Sequence, residues 1–354
     1  MTRNMTFSQA VNDALVTAMQ IDKNVICYGL GIPDPKGVFG TSLGLQEKFG
    51  ADRVFDMPCS ENGMTGIAIG AALNGIRPVM THQRLDFFLL AMDQLINNAA
   101  NWKYMFGGNS GSVPVTIRLI IGRGWGQGPT HSQSLHSWFA HVPGLKVVSP
   151  TTAKDAKGLL LSSIFDDDPV IFLEHRWLHN HTEEVPEGDF RLPLGKASLL
   201  RRGNDVSVIA MSYMSVEAIH AIDYLQDKCS INCDLIDLRS INPIDWQVIF
   251  DSVRKTGKLL VLDTGWETMS VAGEIIARCA IECFDSMKCP PARMALPDCP
   301  TPTSRALTKD YYKEAADIGQ AIAKMLKTEI DLEPLKQMRG TNHDVPGDWF
   351  KGPF

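Results

Sequence analysis

The sequence predicts an α/β fold made of two successive units, each a largely parallel sheet layered between helices (a three-layer αβα arrangement). Three observations carry that expectation. Up to about residue 182, short β-branched apolar runs alternate with amphipathic helical stretches, the order expected of parallel strands joined by crossover helices. A charged stretch marked by Pro and Gly, residues 183–195, interrupts the alternation, which restarts at Val206. At 354 residues the chain is long enough to bury two cores.

The first unit reads as follows. Phe7, Val11, Leu15 and Met19 recur at helical spacing and predict a helix over 6–20. Residues 24–30 form a strand, and the loop 31–40, with Pro33 and Pro35, leaves its end, where open α/β sheets place their sites. A short helix over 43–49 is stopped by Gly50. The apolar run from Val54 ends at Met57-Pro58, and Ser60 is placed to cap a helix over 61–73. That helix contains Gly63, Gly66, Ala68, Gly70, Ala71 and Ala72. Each interior glycine costs about 0.5–1 kcal/mol relative to alanine, so close approach of another helix or a ligand to this bare face is expected. Glu61 stands at its mouth.

A strand over 78–84 precedes a helix over 86–105, whose apolar positions run around most of the cylinder, as in a domain or subunit interface. The strand 113–121 feeds a glycine-rich loop, 122–133. This loop is neither Gly-x-Gly-x-x-Gly nor a phosphate loop ending in Gly-Lys-Ser/Thr, so it predicts no nucleotide. It does carry Arg123, Gln127, His131 and Gln133 past a strand end, and a histidine there is able to donate to an oxyanion or move a proton near neutral pH. A helix over 134–141, strand 145–149, helix 152–164 and strand 170–173 complete the unit. The second unit repeats the pattern: strand 206–211, helix 215–225, strand 233–238, helix 243–254, strand 259–263 and helix 271–284. The expected domains are 1–190 and 191–328, followed by a C-terminal arm, 329–354, whose aromatics have no periodicity.

Composition narrows the function classes. A hydrophobic share of 44% with 21% charged residues is that of an ordinary globular protein. A net charge of −6 argues against a nucleic-acid surface. No apolar run approaches membrane-spanning length, and no signal peptide is visible, so a cytoplasmic protein is expected. Eight cysteines without a dense framework suit a reducing compartment, and the pairs Cys229/Cys233 and Cys279/Cys283, at helical spacing, read as buried thiols rather than a zinc site.

Several motifs then occur in one order. They include Lys48-Phe49-Gly50 through Arg53-Val54, Ser60-Glu61-x-Gly63-x-x-Gly66-Ile67-Ala68-x-Gly70, Arg77-Pro78 and Asp93-Gln94. They continue with Tyr104-Met105-x-Gly107-Gly108, His131-Ser132-Gln133, His141-x-Pro143-Gly144-Leu145-Lys146-Val147-Val148 and Asp155-Ala156-Lys157-Gly158. In the second half stand Ile236-Asp237-Leu238-Arg239, Pro243-x-Asp245 and Ser252-Val253-x-Lys255-Thr256-Gly257. From Phe7 to Leu326 the chain resembles the β chain of the thiamine-diphosphate-dependent 2-oxo acid dehydrogenases, in the transketolase superfamily. The resemblance implies a pyrimidine-binding transketolase-like domain followed by a transketolase C-terminal-like domain. It implies that Glu61 hydrogen-bonds N1′ of the cofactor's aminopyrimidine and that His131 handles protons or the carbonyl oxygen beside the substrate. The superfamily's Gly-Asp-Gly motif for Mg²⁺ and diphosphate has no counterpart here, so those ligands are expected from an α chain, in a heterotetramer of two α and two β chains. A lipoyl acyltransferase core is a further partner that the resemblance implies, and a structural K⁺ is implied near Ser163, Asp166 and Asp168.

The departures from the family pattern concern the pocket. Gly29-Leu30-Gly31 stands where relatives have Gly-Glu-Asp, and Thr81-His82-Gln83-Arg84-Leu85 where they have Glu-Phe-Met-Thr-Phe. Leu30, Leu85 and Phe87 are therefore the expected cofactor contacts, while His82, Arg84, Arg123 and Gln133 make the expected substrate pocket more polar and cationic. Three readings follow. The first is the β subunit of an enzyme that decarboxylates a pyruvate-like 2-oxo acid and passes the acyl group to lipoamide. The second is a two-chain transketolase or carboligase acting on an aldehyde or sugar. The third is a scaffold subunit without catalysis, against which the presence of Glu61 and His131 speaks.

Overall fold

The computed structural model of the chain describes residues 1–122 and 126–338. Its larger sheet is built from β2 (Val25–Gly29), β3 (Val54–Phe55), β4 (Arg77–His82), β5 (Thr116–Ile121), β6 (Lys146–Val148) and β7 (Val170–His175). These run parallel in the spatial order 6-7-5-4-2-3. Side chains alternate between two faces, as the pleat requires: Val79 enters one apolar core and its neighbour Met80 the other. One face is covered by α1 (Phe7–Ile21) and α7 (Ala153–Ile164), which pack on each other. The other is covered by α3 (Glu61–Leu73) and the long helical stretch 85–105.

Because every strand of this set points the same way, the loops after β2, β3, β4, β5 and β7 all leave one edge of the sheet. That edge carries the candidate residues.

The sequence-derived elements stand close to their predicted positions, with instructive departures. Two strands were hidden at the ends: β1 (Thr2–Thr6) pairs antiparallel with β8 (Thr182–Pro186), so the start of the expected linker is a strand. Both are short and mostly exposed, and give no apolar run to read. Thr6 then caps α1 in a reciprocal box with Gln9. Ser60 precedes α3 as expected, but its side chain makes no capping bond. The stretch 85–105 is helical throughout yet not uniform: α4 (Leu85–Phe88) leads into a tighter turn, a π-helical segment Gln94–Ala100 and α5 (Asn101–Met105). Gly144 explains part of this packing. It has φ +89°, and a Cβ there would lie 2.1 Å from the Ala100 carbonyl oxygen.

The second sheet contains β9 (Ser198–Arg201), β10 (Ser207–Ala210), β11 (Asp234–Asp237), β13 (Leu259–Trp266) and β14 (Ala292–Leu296) in the order 14-13-10-11-9, with only β9 antiparallel. Its strand-following helices include α8 (Tyr213–Cys229), α9 (Trp246–Thr256) and α10 (Val271–Glu282). The two units are not packed separately. The strand β12 (Ser240–Asn242) crosses back to pair with β6, and one apolar core runs continuously from Leu119 and Val147 to Ile209, Val261 and Ile275. All eight cysteines are free thiols, and burial pushes Cys27, Cys233 and Cys279 up to about 12.

The expected arm begins as folded chain. After α11 (Ala315–Leu326), α12 (Glu333–Met338) returns to the second unit, with Leu332 and Leu335 buried against Gly319 and the Tyr224 hydroxyl donating to the Asp331 carbonyl at 2.7 Å. Residues 339–354 lie outside the described residues. Truncating Leu335 to Ala is expected to lower stability by about 2–5 kcal/mol, read as a shift of the urea midpoint. A midpoint unchanged from the parent protein would mean that this segment is a dispensable arm after all.

Candidate active site

Glu61 is the first residue of α3 and is 8% exposed. The helix is held from below, where Thr65 Oγ1 donates to the Glu61 carbonyl at 2.8 Å and sits 3.5 Å from Met80 Sδ on β4. Tyr28 on β2 donates its hydroxyl to the Met64 carbonyl at 3.0 Å and stacks on Phe55, ring centroids 5.3 Å apart. The helix N-terminus favours a negative charge at this position. Among the described residues, the Glu61 carboxylate accepts no hydrogen bond and joins no ion pair. Other buried carboxylates of the chain, such as Glu174 and Asp263, are paired. A Cβ on Gly63 would be 3.0 Å from Ser60 Oγ and one on Gly66 3.3 Å from Gln94 Oε1, whereas Gly70 faces open space.

The loops at the strand ends are tied together around this helix. Gln83 donates to the Leu30 carbonyl at 3.1 Å, and the Gly31 N–H donates to Asp56 at 3.1 Å, which joins the loops after β2, β3 and β4. Arg84 donates to Gln127 at 2.7 Å and Gln133 to Asp86 at 2.7 Å, which joins α4 to the loop after β5. His131 is exposed on that loop. Phe87 meets its ring edge-on at 5.3 Å, and its Nδ1 lies 3.1 Å from Thr130 Oγ1. The structure thus brings Leu30, Arg84, Phe87, His131 and Gln133 into one rim. Glu61 opens on the same edge, with no hydrogen bond or ion pair to His131. Arg123 lies outside the described residues.

Several expectations need correction. Leu85 has no exposed surface and packs into the core, so Phe87, half-buried, is the member of that pair available to a ligand. His82 is 3% exposed, with its ring edge against Phe88, and burial lowers its pKa to about 3. It is therefore neutral near pH 7 and adds no cation. Arg84 is as deeply buried, and desolvation lowers it only to about 10, so it stays charged. Its guanidinium carbon lies 5.1 Å from the centre of the Phe39 ring, and that of Arg176 lies 4.4 Å from the same ring.

The acidic turn expected to hold K⁺ is served by the protein's own cations. Arg77 donates to the carbonyls of Ile164 and Asp166 at 3.2 and 2.9 Å, Lys146 contacts Asp166 at 2.7 Å and Asp168 at 3.1 Å, and Lys103 contacts Asp168 at 3.0 Å. The Ser163 hydroxyl is turned inward to the Leu159 carbonyl. Burial opposes ionisation of Asp168, but Lys103 and Lys146 outweigh it and hold the carboxyl below its usual range. These contacts neutralise the carboxylates of the turn, while the Ile164 and Asp166 carbonyls each keep a second lone pair, so a K⁺ held by backbone oxygens here remains a proposal.

Sequence reasoning missed the network beneath the rim. Arg118 on β5 and Glu174 on β7 are wholly buried and form a bidentate pair at 2.6 and 3.0 Å. Thr81 accepts from Arg118 at 3.2 Å, and His179 Nε2 lies 3.4 Å from Glu174. Burial lowers His175 to about 3 and His179 to about 4. The available signal was a single charged residue inside each of two otherwise apolar strands, Thr-Ile-Arg-Leu-Ile-Ile and Val-Ile-Phe-Leu-Glu-His. Such a charge in a doubly covered strand requires a partner.

Comparison with known proteins agrees with this architecture. Residues 3–180 match the family model described as the transketolase pyrimidine-binding domain, and residues 195–318 the transketolase C-terminal domain. The chain is 39% identical to the β subunit of acetoin:2,6-dichlorophenolindophenol oxidoreductase of Cupriavidus necator, over 92% of this chain and 99% of that protein. It is 41% identical to the pyruvate dehydrogenase E1 component subunit beta of Bacillus subtilis, over 85% of this chain and 93% of the relative. It is also 39% identical to the mitochondrial 2-oxoisovalerate dehydrogenase subunit beta of Dictyostelium discoideum, over 85% and 81%. A solved structure titled split gene transketolase, inactive beta4 tetramer, superposes with a TM-score of 0.73 at 21% identity, over 92% of this chain and 99% of that one, and shows the fold. The chain belongs to the transketolase pyrimidine-binding-domain family, among the β subunits of the pyruvate- and acetoin-type dehydrogenases.

Proposed function

We propose that this chain is the proton-handling half of a two-chain enzyme that decarboxylates a pyruvate-like 2-oxo acid with thiamine diphosphate and passes the acyl group to lipoamide. The observation that carries the proposal is the Glu61 carboxylate. It is buried at a helix mouth and makes no bond within the described chain. Its oxygens still reach solvent, so they are free to accept from a bound donor, and a hydrogen bond to a charged group is worth about 1.5–3 kcal/mol. A ring nitrogen that must gain a proton fits that carboxylate. When bound, thiamine diphosphate supplies the electron sink that C–C cleavage beside a carbonyl needs.

The chain's own residues then have assigned tasks. Glu61 holds a proton at the ring nitrogen. His131, with Nδ1 engaged by Thr130, presents Nε2 for proton transfer at the substrate oxygen. Phe87 and Leu30 supply apolar contact, and Gln133, held by Asp86, supplies a polar one. Arg84, charged but buried behind the rim on Gln127, adds a positive field that favours an acidic substrate. Mg²⁺ and the diphosphate are held by an α chain in a heterotetramer. The outer face of α3, where Ile67 and the nearby Leu90 are 60% and 68% exposed, is offered to a partner. Cytoplasmic location and a lipoyl acyltransferase core remain part of the same proposal.

The test is an assay of the co-expressed α/β pair with pyruvate, longer 2-oxo acids, acetoin and sugar aldehydes, with lipoamide or dichlorophenolindophenol as acceptor. CO2 release from a 2-oxo acid that requires both chains and thiamine diphosphate is the expected result. Ketol transfer between sugars without decarboxylation would overturn it in favour of a two-chain transketolase. No turnover with any of these would leave only a scaffold role.

A further inference from the structure

The second unit reaches into the first at the base of the His131 loop. His136, the first residue of α6 (His136–Ala140), and Asp263 on β13 are each 1% exposed, with Nε2 and Oδ1 2.8 Å apart. The two groups touch at salt-bridge distance without an aligned hydrogen bond, and among the described residues neither ring nitrogen of His136 has another hydrogen-bond partner. Asp263 is itself fixed from its own side. Its Oδ1 accepts the Gly265 N–H at 2.8 Å, and its Oδ2 accepts the Ala272 N–H at 3.1 Å in the first turn of α10. Burial opposes ionisation of this carboxyl, but His136 and the two amides hold it below the usual range.

Two glycines show how closely the second unit grips the loop. A Cβ on Gly265 would lie 2.9 Å from His136 Cε1 and 3.0 Å from the Ser134 carbonyl oxygen. A Cβ on Gly128 would lie 2.5 Å from Thr303 Oγ1. Gly128 and Ser134 stand on either side of His131 in the chain, and the loop between them is braced internally. There the His131 N–H donates to the Gly128 carbonyl at 3.2 Å and the Ser132 hydroxyl to the Gln127 carbonyl at 3.2 Å. The loop is therefore clamped at both ends by residues more than a hundred positions away in sequence.

We propose that Asp263 is a positioning residue for His131, acting through His136 and the loop backbone, an inference that rests on the role given to His131 above. A misplacement of a reacting group by about 1 Å can cost ~100-fold in rate, so a clamp remote from the chemistry controls turnover without touching substrate.

The test uses the co-expressed α/β pair with Asp263→Asn, which keeps size and removes charge. Amide exchange over 126–140 is expected to quicken about tenfold while 54–73 is unchanged. kcat is expected to fall about 10–100-fold with KM within about twofold. In a His131→Ala background Asp263→Asn is expected to add no further loss, because both act on one step. Unchanged exchange over 126–140 overturns the proposal, as does a loss that multiplies with that of His131→Ala. If Asp263→Asn does not assemble, His136→Gln and Gly265→Ala are read in the same two measurements. If the unaltered pair has no turnover, the functional reading fails, and exchange alone decides whether Asp263 holds the loop.

Discussion

Glu61→Gln is expected to lower turnover of the α/β enzyme about 1,000-fold, within the range measured for loss of a positioned acid–base group. The substitution keeps the side chain's size and removes only its ability to hold a proton. It breaks no bond in the described chain, because the carboxylate makes none there. Its structural cost is limited to a lost charge at the α3 N-terminus, about 0.3–1 kcal/mol. The urea midpoint should therefore move little while kcat collapses, and this separation is the diagnostic result. A variant that retains a tenth or more of the activity would show that the carboxylate does not hold the working proton.

Acid is expected to destabilise the chain well above the carboxylate range. His82, His175 and His179 have folded pKa values of about 3, 3 and 4, lowered first by burial, against 6.5 when exposed. Between those limits the unfolded chain binds protons that the folded chain refuses, so stability falls as pH falls. The contribution is complete above pH 6.5 and is lost progressively toward pH 4 and 3. At roughly 1.4 kcal/mol per pH unit for each group, passing from pH 7 to 5 costs on the order of 1–2 kcal/mol per histidine. Glu174, held below its usual value against the effect of burial by Arg118 and His179, adds loss of the same sign further down. His181, lowered by burial to about 4, adds a further loss. Asp237, raised by burial to about 7, is instead protonated in the folded chain and gains stability over the same range. Urea midpoints at pH 7 and pH 5 measure the net, in which the histidines outweigh the one carboxyl. His82→Leu should reduce the pH slope by about one proton, since burial alone lowers the His82 pKa and, among the described residues, no acid pairs with it. A slope unchanged by that substitution would mean that His82 is hydrated in solution.

The elements with strong periodicity were the legible ones. α1 follows Phe7, Val11, Leu15 and Met19; α3, with little periodicity, still runs from Glu61 to Leu73 as expected, although Ser60 makes no capping bond. What escaped reading was structure specified by partners far away in sequence. Thr2–Thr6 and Thr182–Pro186 are strands only because they pair with each other, and Ser240–Asn242 only because β6 lies beside it. The candidate site divides in the same way. Glu61 and His131 stand out by place, at a helix mouth and on a glycine-rich loop, but only the family resemblance gives them roles, and those roles remain proposals. The Leu85 expectation failed because sequence position near a pocket does not reveal which way a helix turns its side chains. That Arg77, Lys103 and Lys146 meet the turn around Asp166 was not legible, because they come from three other elements. Domain limits at 190 and 328 remain a proposal, since the apolar core is continuous across the first of them.

The measurement that bears most directly on the half-site account is calorimetric titration of thiamine diphosphate with Mg²⁺, first into this chain alone and then into the co-expressed α/β pair. The account predicts no tight binding to the chain alone and tight binding to the pair, weakened in Glu61→Gln. Tight binding to the isolated chain would contradict it.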